Sequence, residues 1–391
     1  MSSKPVNKTI ARLHWRRVYL KLYALIRKHL YADSAGTIGT IISVPLLLLG
    51  YTYFFCVGFR RMLYRSSMLK KKRVNSKVIG IGNITMGGSG KTTITMELAE
   101  YIHSKGRSVA ILSRGYKGTE NRRIPFAASR GNGPLREVRQ IGDEPYMMAD
   151  RLRDGVAVIV GKNRVKAARL AIREFGSHFL LLDDAFQFLP LHKDFEIVLI
   201  NESDLLGNRR PLPAGPFREP LSSVIDADIV IIIKGLNSNR LTEFDGLNDF
   251  PAERIFEVRP NRILFKSIFY DSGEARPEML VNRRILSFTS IARSDTFKEI
   301  ISTLKPEWFE LIEYPDHFYY GIDELLAIKE LANEKQAIII TTEKDRVKVD
   351  WEFFEGIECF TVLVRYDIFK CETKVRNIID AFINGGHTGG V

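Results

Sequence analysis

One segment restricts this chain more than any other. Lys77-Val78-Ile79-Gly80-Ile81-Gly82-Asn83 is a short apolar run with the character of a buried strand. Thr85-Met86-Gly87-Gly88-Ser89-Gly90-Lys91-Thr92-Thr93 follows, and Ile94 to His103 then reads as a helix, with Leu98 and Ile102 on one face. Strand, glycine-rich turn, Gly-Lys-Thr and helix form the context of a phosphate-binding loop. The glycines let the backbone curl so that its N–H groups face phosphate oxygens, and the helix N-terminus adds positive potential. In that arrangement Lys91 reaches the β- and γ-phosphates and the Thr92 hydroxyl holds Mg2+. The usual motif has glycine where this chain has Thr85; Gly87-Gly88 is placed to supply the flexibility instead.

A second signal is independent of the first. His178-Phe179-Leu180-Leu181-Leu182-Asp183-Asp184 is an apolar strand ending in two acids. A carboxylate at a strand end is where a phosphate-loop enzyme meets Mg2+, directly or through water. Alone, such a strand end is an ordinary turn; beside the loop it gains meaning. Further buried strands are expected at Val109 to Ser113, Val156 to Val160, Ile197 to Ile200 and Ile229 to Ile233, with helices between several of them. That alternation predicts an α/β fold: a P-loop NTPase domain with a mainly parallel sheet over residues 78–255. Residues 256–391 read as a second, smaller α/β domain, with the hinge near 250–265. Its strands are expected at 285–288, 337–341 and 360–364, and its last helix at 375–383.

The N-terminal region has a different character. Gly36 to Phe59 carries no charge over 24 residues, long enough to cross a bilayer as a helix, although Pro45 and Gly50 can kink it. The segment starts too late for an ordinary cleaved signal peptide. Aromatic residues crowd its far end, as at a membrane interface. Residues 1–35 form a basic leader with eight Lys/Arg, and residues 60–79 carry eight more, so the positive-inside rule gives no orientation. Residues 36–77 therefore read as a membrane-anchor helix and basic linker, spanning or interfacial. Net charge is +12 over 391 residues, which suits an anionic partner without choosing among nucleic acid, lipid surface and phosphorylated substrate. Three scattered cysteines exclude a disulfide scaffold or a Cys-based zinc ribbon.

Phosphoryl transfer to an alcohol also needs a group to accept the hydroxyl proton. Gly142-Asp143-Glu144-Pro145 offers paired acids before a helix, a pattern equally suited to a helix N-cap. His317, in Tyr314-Pro315-Asp316-His317-Phe318-Tyr319-Tyr320, is either an acid–base element or a hydrogen-bonded turn residue. Arg114 and Arg218 can meet phosphates or pair with surface acids. Lys344-Asp345 either shapes a cleft or closes a turn.

Several motifs in order carry a resemblance. They are the loop Gly82 to Thr92, Leu112-Ser113-Arg114-Gly115-Tyr116, Gly142 to Pro145, Leu182-Asp183-Asp184-Ala185-Phe186-Gln187, Leu212 to Pro220, Asp316-His317 and Thr342-Glu343-Lys344-Asp345. Together they resemble the tetraacyldisaccharide 4′-kinase family, the lipid A disaccharide kinases, over residues 82–345 with an anchor ahead. The double-glycine loop with Thr85 is this family's form. The resemblance implies ATP as donor, Mg2+, and a tetraacylated glucosamine disaccharide 1-phosphate as lipid acceptor at its 4′-hydroxyl. It implies a site in the cleft between two domains, with Asp143 as base, His317 paired to it, and Thr92, Asp183 and Asp184 serving Mg2+. Residues Thr85 to Thr93 would bind nucleotide, and Arg114, Glu144, Gln187 and Arg218 are possible substrate or phosphate contacts. It also implies a bacterial inner-membrane location with the catalytic domains on the cytoplasmic face. Departures are Ala185 and Phe188, where the family often has glycine and histidine, and Phe318, where many members have a second histidine.

The rival reading is a membrane-anchored P-loop ATPase of switch or partition type. The deviant loop of that class has lysine where Met86 stands, and no Asn-Lys-x-Asp run for guanine occurs. A nucleic-acid binder is not expected, since no DNA- or RNA-binding motif is present. Neither oligomeric state nor acyl-chain preference can be read from the sequence.

Overall fold

The computed structural model describes residues 37–238, 246–269 and 274–385; the basic leader lies outside them. The first sheet contains β1 Lys77–Asn83, β2 Val109–Ser113, β3 Phe126–Ser129, β4 Ala157–Val160, β5 Phe179–Asp183, β6 Phe195–Asn201, β7 Ile229–Ile233 and β8 Ile255–Val258. Their order is β3-β4-β2-β5-β1-β6-β7-β8, parallel throughout except β3 against β4. Strands β2, β4, β5 and β7 are buried along their whole length, as a parallel sheet covered on both faces requires.

Chain order and sheet order diverge at β1. The chain leaves β1 for β2, but β5 occupies the slot between them, and β6 lies on the other side. Ligands sit at such a switch point, outside the carboxyl ends of the strands. The register sets Ile81 of β1 opposite Asp183 of β5, so the Gly-rich loop and the Asp183-Asp184 pair leave the sheet side by side. Behind the sheet, helix Arg164–Phe175 presents Ala167, Ala168 and Ala171, whose small side chains allow close packing on Leu180 and Leu182. Asn163 caps that helix by accepting from Lys166 N–H, and Gly176 ends it in the left-handed conformation.

The second sheet contains β9 Arg262–Ser267, β10 Glu274–Ala275, β11 Arg284–Thr289, β12 Trp308–Glu313, β13 Ile338–Thr342 and β14 Cys359–Arg365, in the order β10-β9-β14-β13-β11-β12. Alternation along β13 divides its faces. Ile338 and Ile340 pack on helix Asp295–Thr303, while Ile339 packs on helix Ile322–Lys335.

The chain passes from the first sheet to the second between Val258 and Arg262. Sequence places everything after 255 in a second domain, yet the chain crosses back. Helices Ile368–Cys371 and Thr373–Ile383 bury Phe369, Ile379 and Phe382 in the core of the first sheet, with Phe382 against Phe195 at 5.1 Å between ring centroids. The reason is amphipathicity: Val375, Ile379, Phe382 and Ile383 form one apolar stripe, and the first sheet offers it a partner.

The apolar N-terminal segment forms one helix, Thr37–Arg65, with Pro45 inside it. Among the described residues only its stretch Val44–Arg65 is long and apolar enough to cross a membrane. Val44, Leu48, Tyr51, Phe55, Phe59 and Met62 lie exposed at helical spacing along one side. The opposite side is docked. Gly50 packs so closely that an added Cβ would stand 2.7 Å from Pro211 Cγ, Phe54 joins the core around Phe186 and Phe217, and Arg61 is buried in ion pairs with Glu219 and Asp226.

The helix that follows the Gly-rich loop, Lys91–Ser104, is keyed to the second sheet's last strand. Glu97 accepts from Tyr366 N–H at 2.7 Å. Burial pushes the Glu97 carboxyl up to about 7, only partly offset by that hydrogen bond and by Arg365. A carboxyl with a folded pKa above its unfolded value of about 4.3 stabilises the fold fully below pH 4.3. That contribution is lost as pH rises to about 7. Glu97→Gln keeps the acceptor and removes the titration. It should raise the thermal midpoint in detergent at pH 8 and leave it unchanged at pH 4; an unchanged midpoint at pH 8 contradicts the account.

Candidate active site

The carboxyl ends of the two sheets face each other across a cleft of about 800 Å3. The Gly-rich loop forms its floor. Gly87 and Gly90 adopt φ of 105° and 70°, conformations that favour glycine, and Gly90 begins the Lys91–Ser104 helix. A Cβ on Gly90 would press on the Tyr366 ring at 3.1–3.4 Å. The loop is braced from behind by the proline-rich segment: Met86 N–H donates to Pro216 O and Arg218 N–H to Ile84 O, each at 2.7 Å. Asn201 donates to Gly88 O at 3.1 Å.

Of the expected nucleotide-binding residues, Met86 to Thr93 line the cleft. Thr85 does not. It is fully buried, and its hydroxyl donates to Asp204 at 2.8 Å, away from the cleft.

The two acids after β5 differ in state. Asp184 lies 3.5 Å from Lys91 Nζ and accepts from Arg218 with both oxygens at 3.2 Å. Burial acts to raise its pKa, but Lys91 and Arg218 outweigh it and hold the carboxyl well below the usual range. Asp183 is buried more deeply, with the Thr95 hydroxyl at 3.3 Å. Burial, then the charges of Glu144 and Asp184, push it up to about 7. Such a carboxylate calls for a cation, and Thr92 and Asp184 line the cleft together with it. The donor set of one hydroxyl and two carboxylates suits Mg2+, which keeps waters and phosphate oxygens in the rest of its shell. Arg164, buried beneath, donates to Asp183 O at 3.1 Å and to Gly161 O at 2.8 Å.

Asp143 opens helix Asp143–Arg151 after Gly142, whose φ is 96°. Both of its carboxylate oxygens lie near His317 Nδ1, at 2.9 and 2.8 Å. Lys344 and Lys348 each stand 3.9 Å away. Burial acts to raise the Asp143 pKa; Lys344, the His317 hydrogen bond and charge, and Lys348 together drive it below the carboxylate range. Lys344 also reaches Glu144 at 3.3 Å and Asp316 at 3.2 Å. Burial alone would lower the Lys344 pKa, but these carboxylates raise it, so it stays protonated. Behind them Asp345 holds the loops in place, accepting from Thr289, Ser290, Tyr320, Thr342 and Lys348.

Arg114, Glu144 and Arg218 line the cleft, Arg114 with an exposed side chain and Arg218 already paired to Asp184. Gln187 stands apart from the cleft lining; its amide donates to Asn83 O at 2.8 Å and ties the acid-bearing turn to β1. Sequence reasoning did not single out Lys348, Arg164, Asn201 or Arg293: the partners of Asn201 and Arg293 are remote in the chain, and the contacts of Lys348 with Asp345 and of Arg164 with Gly161, three residues away, matter only because they are buried. The run Thr342-Glu343-Lys344-Asp345 did carry a signal for Lys344.

The family profile described as tetraacyldisaccharide-1-P 4′-kinase matches residues 42–384. A tetraacyldisaccharide 4′-kinase of Halothermothrix orenii is 34% identical over 321 residues, covering 79% of this chain and 83% of that protein. One from Aquifex aeolicus is 32% identical over 334 residues, covering 85% and 97%. A crystal structure of LpxK from Aquifex aeolicus in complex with ATP superposes with a TM-score of 0.63 at 27% identity, covering 86% of this chain and 99% of that one. The chain, with its Gly-rich loop, its two acids beside it and its apolar N-terminal helix, belongs to the tetraacyldisaccharide 4′-kinase family.

Proposed function

We propose that this enzyme transfers the γ-phosphate of ATP to the 4′-hydroxyl of a tetraacylated glucosamine disaccharide 1-phosphate, a step of lipid A biosynthesis. The observation that carries this reading is the pairing of buried Asp143, from the first lobe, with His317 of the second, which lines the same cleft as Lys91. Lys91 and the N–H groups of the loop bind the phosphates of ATP. Mg2+, held by Thr92, Asp183 and Asp184, would neutralise charge on the β- and γ-phosphates. Asp143 accepts the proton of the sugar hydroxyl. His317 donates through Nδ1 to the Asp143 carboxylate and fixes its orientation. A carboxylate held ionised is a weak base, but a loose transition state leaves little charge on the incoming oxygen, so a weak base suffices. The two lobes exclude water that would otherwise take the phosphoryl group. The two crossings, between Val258 and Arg262 and between Arg365 and Ile368, are the place for their hinge.

The lipid acceptor fits the anchor. The exposed stripe from Val44 to Met62 supports an enzyme held at the bacterial inner membrane. Its need for ATP supports catalytic lobes on the cytoplasmic face. A helix docked through Gly50, Phe54 and Arg61 cannot be ringed by lipid there, which favours an interfacial seat for its second half.

The direct test is transfer of label from γ-labelled ATP to tetraacyl disaccharide 1-phosphate in detergent micelles. Wild type should give a labelled bisphosphorylated lipid, and EDTA or Lys91→Ala should abolish it. Asp143→Ala should still bind ATP but turn over about 10²–10⁴-fold more slowly. Normal turnover by that variant would sink the base assignment. Lipid-stimulated ATP hydrolysis without lipid product would instead favour the anchored ATPase.

The buried cations make a stability prediction. Lys348 and Asp345 are both fully enclosed, 2.8 Å apart. Lys348→Met leaves an uncompensated buried carboxylate and should lower unfolding stability by ~3–5 kcal/mol. An unchanged denaturation midpoint would show that the pair is not needed.

A further inference from the structure

The second lobe also reaches the first lobe beside the Gly-rich loop, through a side chain that no reading of the kinase chemistry requires. Arg293 follows β11 in the second lobe and lines the cleft. Its guanidinium pairs with Asp204 Oδ1 and donates to Ser203 Oγ at 2.9 Å. Both partners belong to the short helix Glu202–Leu206, which follows β6 of the first sheet. The other oxygen of the same carboxylate, Asp204 Oδ2, accepts from the Thr85 hydroxyl at 2.8 Å. Asp204 is 2% exposed and Thr85 0%, and neither lines the cleft. One buried carboxylate therefore holds an arginine of the second lobe with one oxygen and the first residue of the phosphate loop with the other.

We propose that Arg293 is a positioning residue for ATP: it fixes the phosphate loop from the opposite lobe through Asp204 and Thr85. This rests on the reading of the loop as the ATP site. The physical argument is one of charge. A carboxylate this deeply buried needs a cation, and Arg293 is the cation that pairs with it. When the lobes separate, Asp204 loses that counter-charge, and the carboxylate to which Thr85 is tied must rearrange or take up water. When ATP fills the loop and holds its backbone in one curl, it favours the arrangement in which Thr85, Asp204 and Arg293 are joined. Lobe closure and nucleotide binding then share one free energy, and each strengthens the other. It also gives a reason for threonine where the usual loop has glycine. A glycine has no hydroxyl to offer Asp204.

The test is a double-variant cycle on ATP affinity, using the full-length protein in detergent micelles with MgCl2 and labelled ATP by equilibrium dialysis. Arg293→Ala and Thr85→Val should each weaken ATP binding about tenfold, within the usual range for coupled sites. The double variant should be no weaker than the worse single one, because both break the same chain of contacts. Arg293→Lys, which keeps the charge, should recover most of the loss. In turnover assays the KM for ATP should rise while the KM for lipid stays unchanged, a split that general destabilisation does not produce. The relay is overturned if the double variant loses about a hundredfold, the product of two independent effects. It is equally overturned if Arg293→Ala lowers kcat at unchanged ATP affinity, as a direct phosphate contact would. If wild type itself fails to bind ATP, the kinase reading falls and the relay with it. Wild-type binding with multiplicative losses removes the relay alone.

Discussion

A carboxylate enclosed as fully as Asp143 stays ionised only where cations surround it, and the rest of the site follows from where those cations come from. Asp143 begins a helix of the first lobe. His317, Lys344 and Lys348 all come from the second. The proposed base therefore has these counter-charges only when the lobes are together. Lys344 extends the dependence by reaching Glu144 as well, so both acids of the Gly-Asp-Glu-Pro run draw their counter-charge from across the cleft. Lys344 in turn remains protonated because three carboxylates from both lobes surround it. The two halves of the site are complementary in charge and incomplete alone.

That dependence explains the grip on the helix behind the phosphate loop. Helix Lys91–Ser104 is tied to the second sheet by Glu97 to Tyr366 N–H and Glu100 to Arg365 at 3.0 Å. It is tied to the returning C-terminal helix by Tyr101 to Asp380 at 2.7 Å. The loop itself is held by the proline-rich segment, by Asn201 and by Asp204. Phosphate oxygens need backbone N–H groups fixed before they arrive. A Gly-rich turn is flexible by nature, so rigidity has to come from what packs around it.

What could be read from the sequence was local. The strand, the loop and the helix of the phosphate site are contiguous, and two acids ending an apolar strand carry their own signature. The parallel sheet followed from alternating elements. Asp143 and His317 were ambiguous on their own chemistry, and each alternative was sound: Asp143 does sit at a helix start, and His317 does sit in a turn with φ of 57°. Their contact spans 174 residues of chain, and no spacing rule reaches that far. Arg293 was invisible for the same reason, its carboxylate lying 89 residues away in the chain; Lys348 has Asp345 only three residues before it, but a lysine in a loop declares nothing until the burial of its carboxylate is known. The C-terminal helix showed its apolar stripe in the sequence but not which sheet would receive it. Gln187 is the opposite case: it lies in a motif dense with functional acids, yet its amide serves the backbone of β1.

The proposed anchor, helix Thr37–Arg65, joins these constraints to the substrate. Its docked face meets the segment that braces the phosphate loop. Gly50 lies on Pro211, and Arg61 pairs with Glu219 and stands over the Phe186 ring at 4.3 Å. Phe186 follows the Asp183-Asp184 pair by two residues, and Glu219 follows Arg218, the partner of Asp184. A helix fixed at these points holds the exposed stripe Val44 to Met62 at a set distance from the cleft. A lipid with four acyl chains resists leaving the membrane, because each buried CH2 contributes about 0.8 kcal/mol. In the proposed reaction its sugar hydroxyl reaches Asp143 while its chains stay in the lipid. Rigid docking of the proposed anchor on the loop-bracing segment suits that geometry, and a flexible tether of the same length would not.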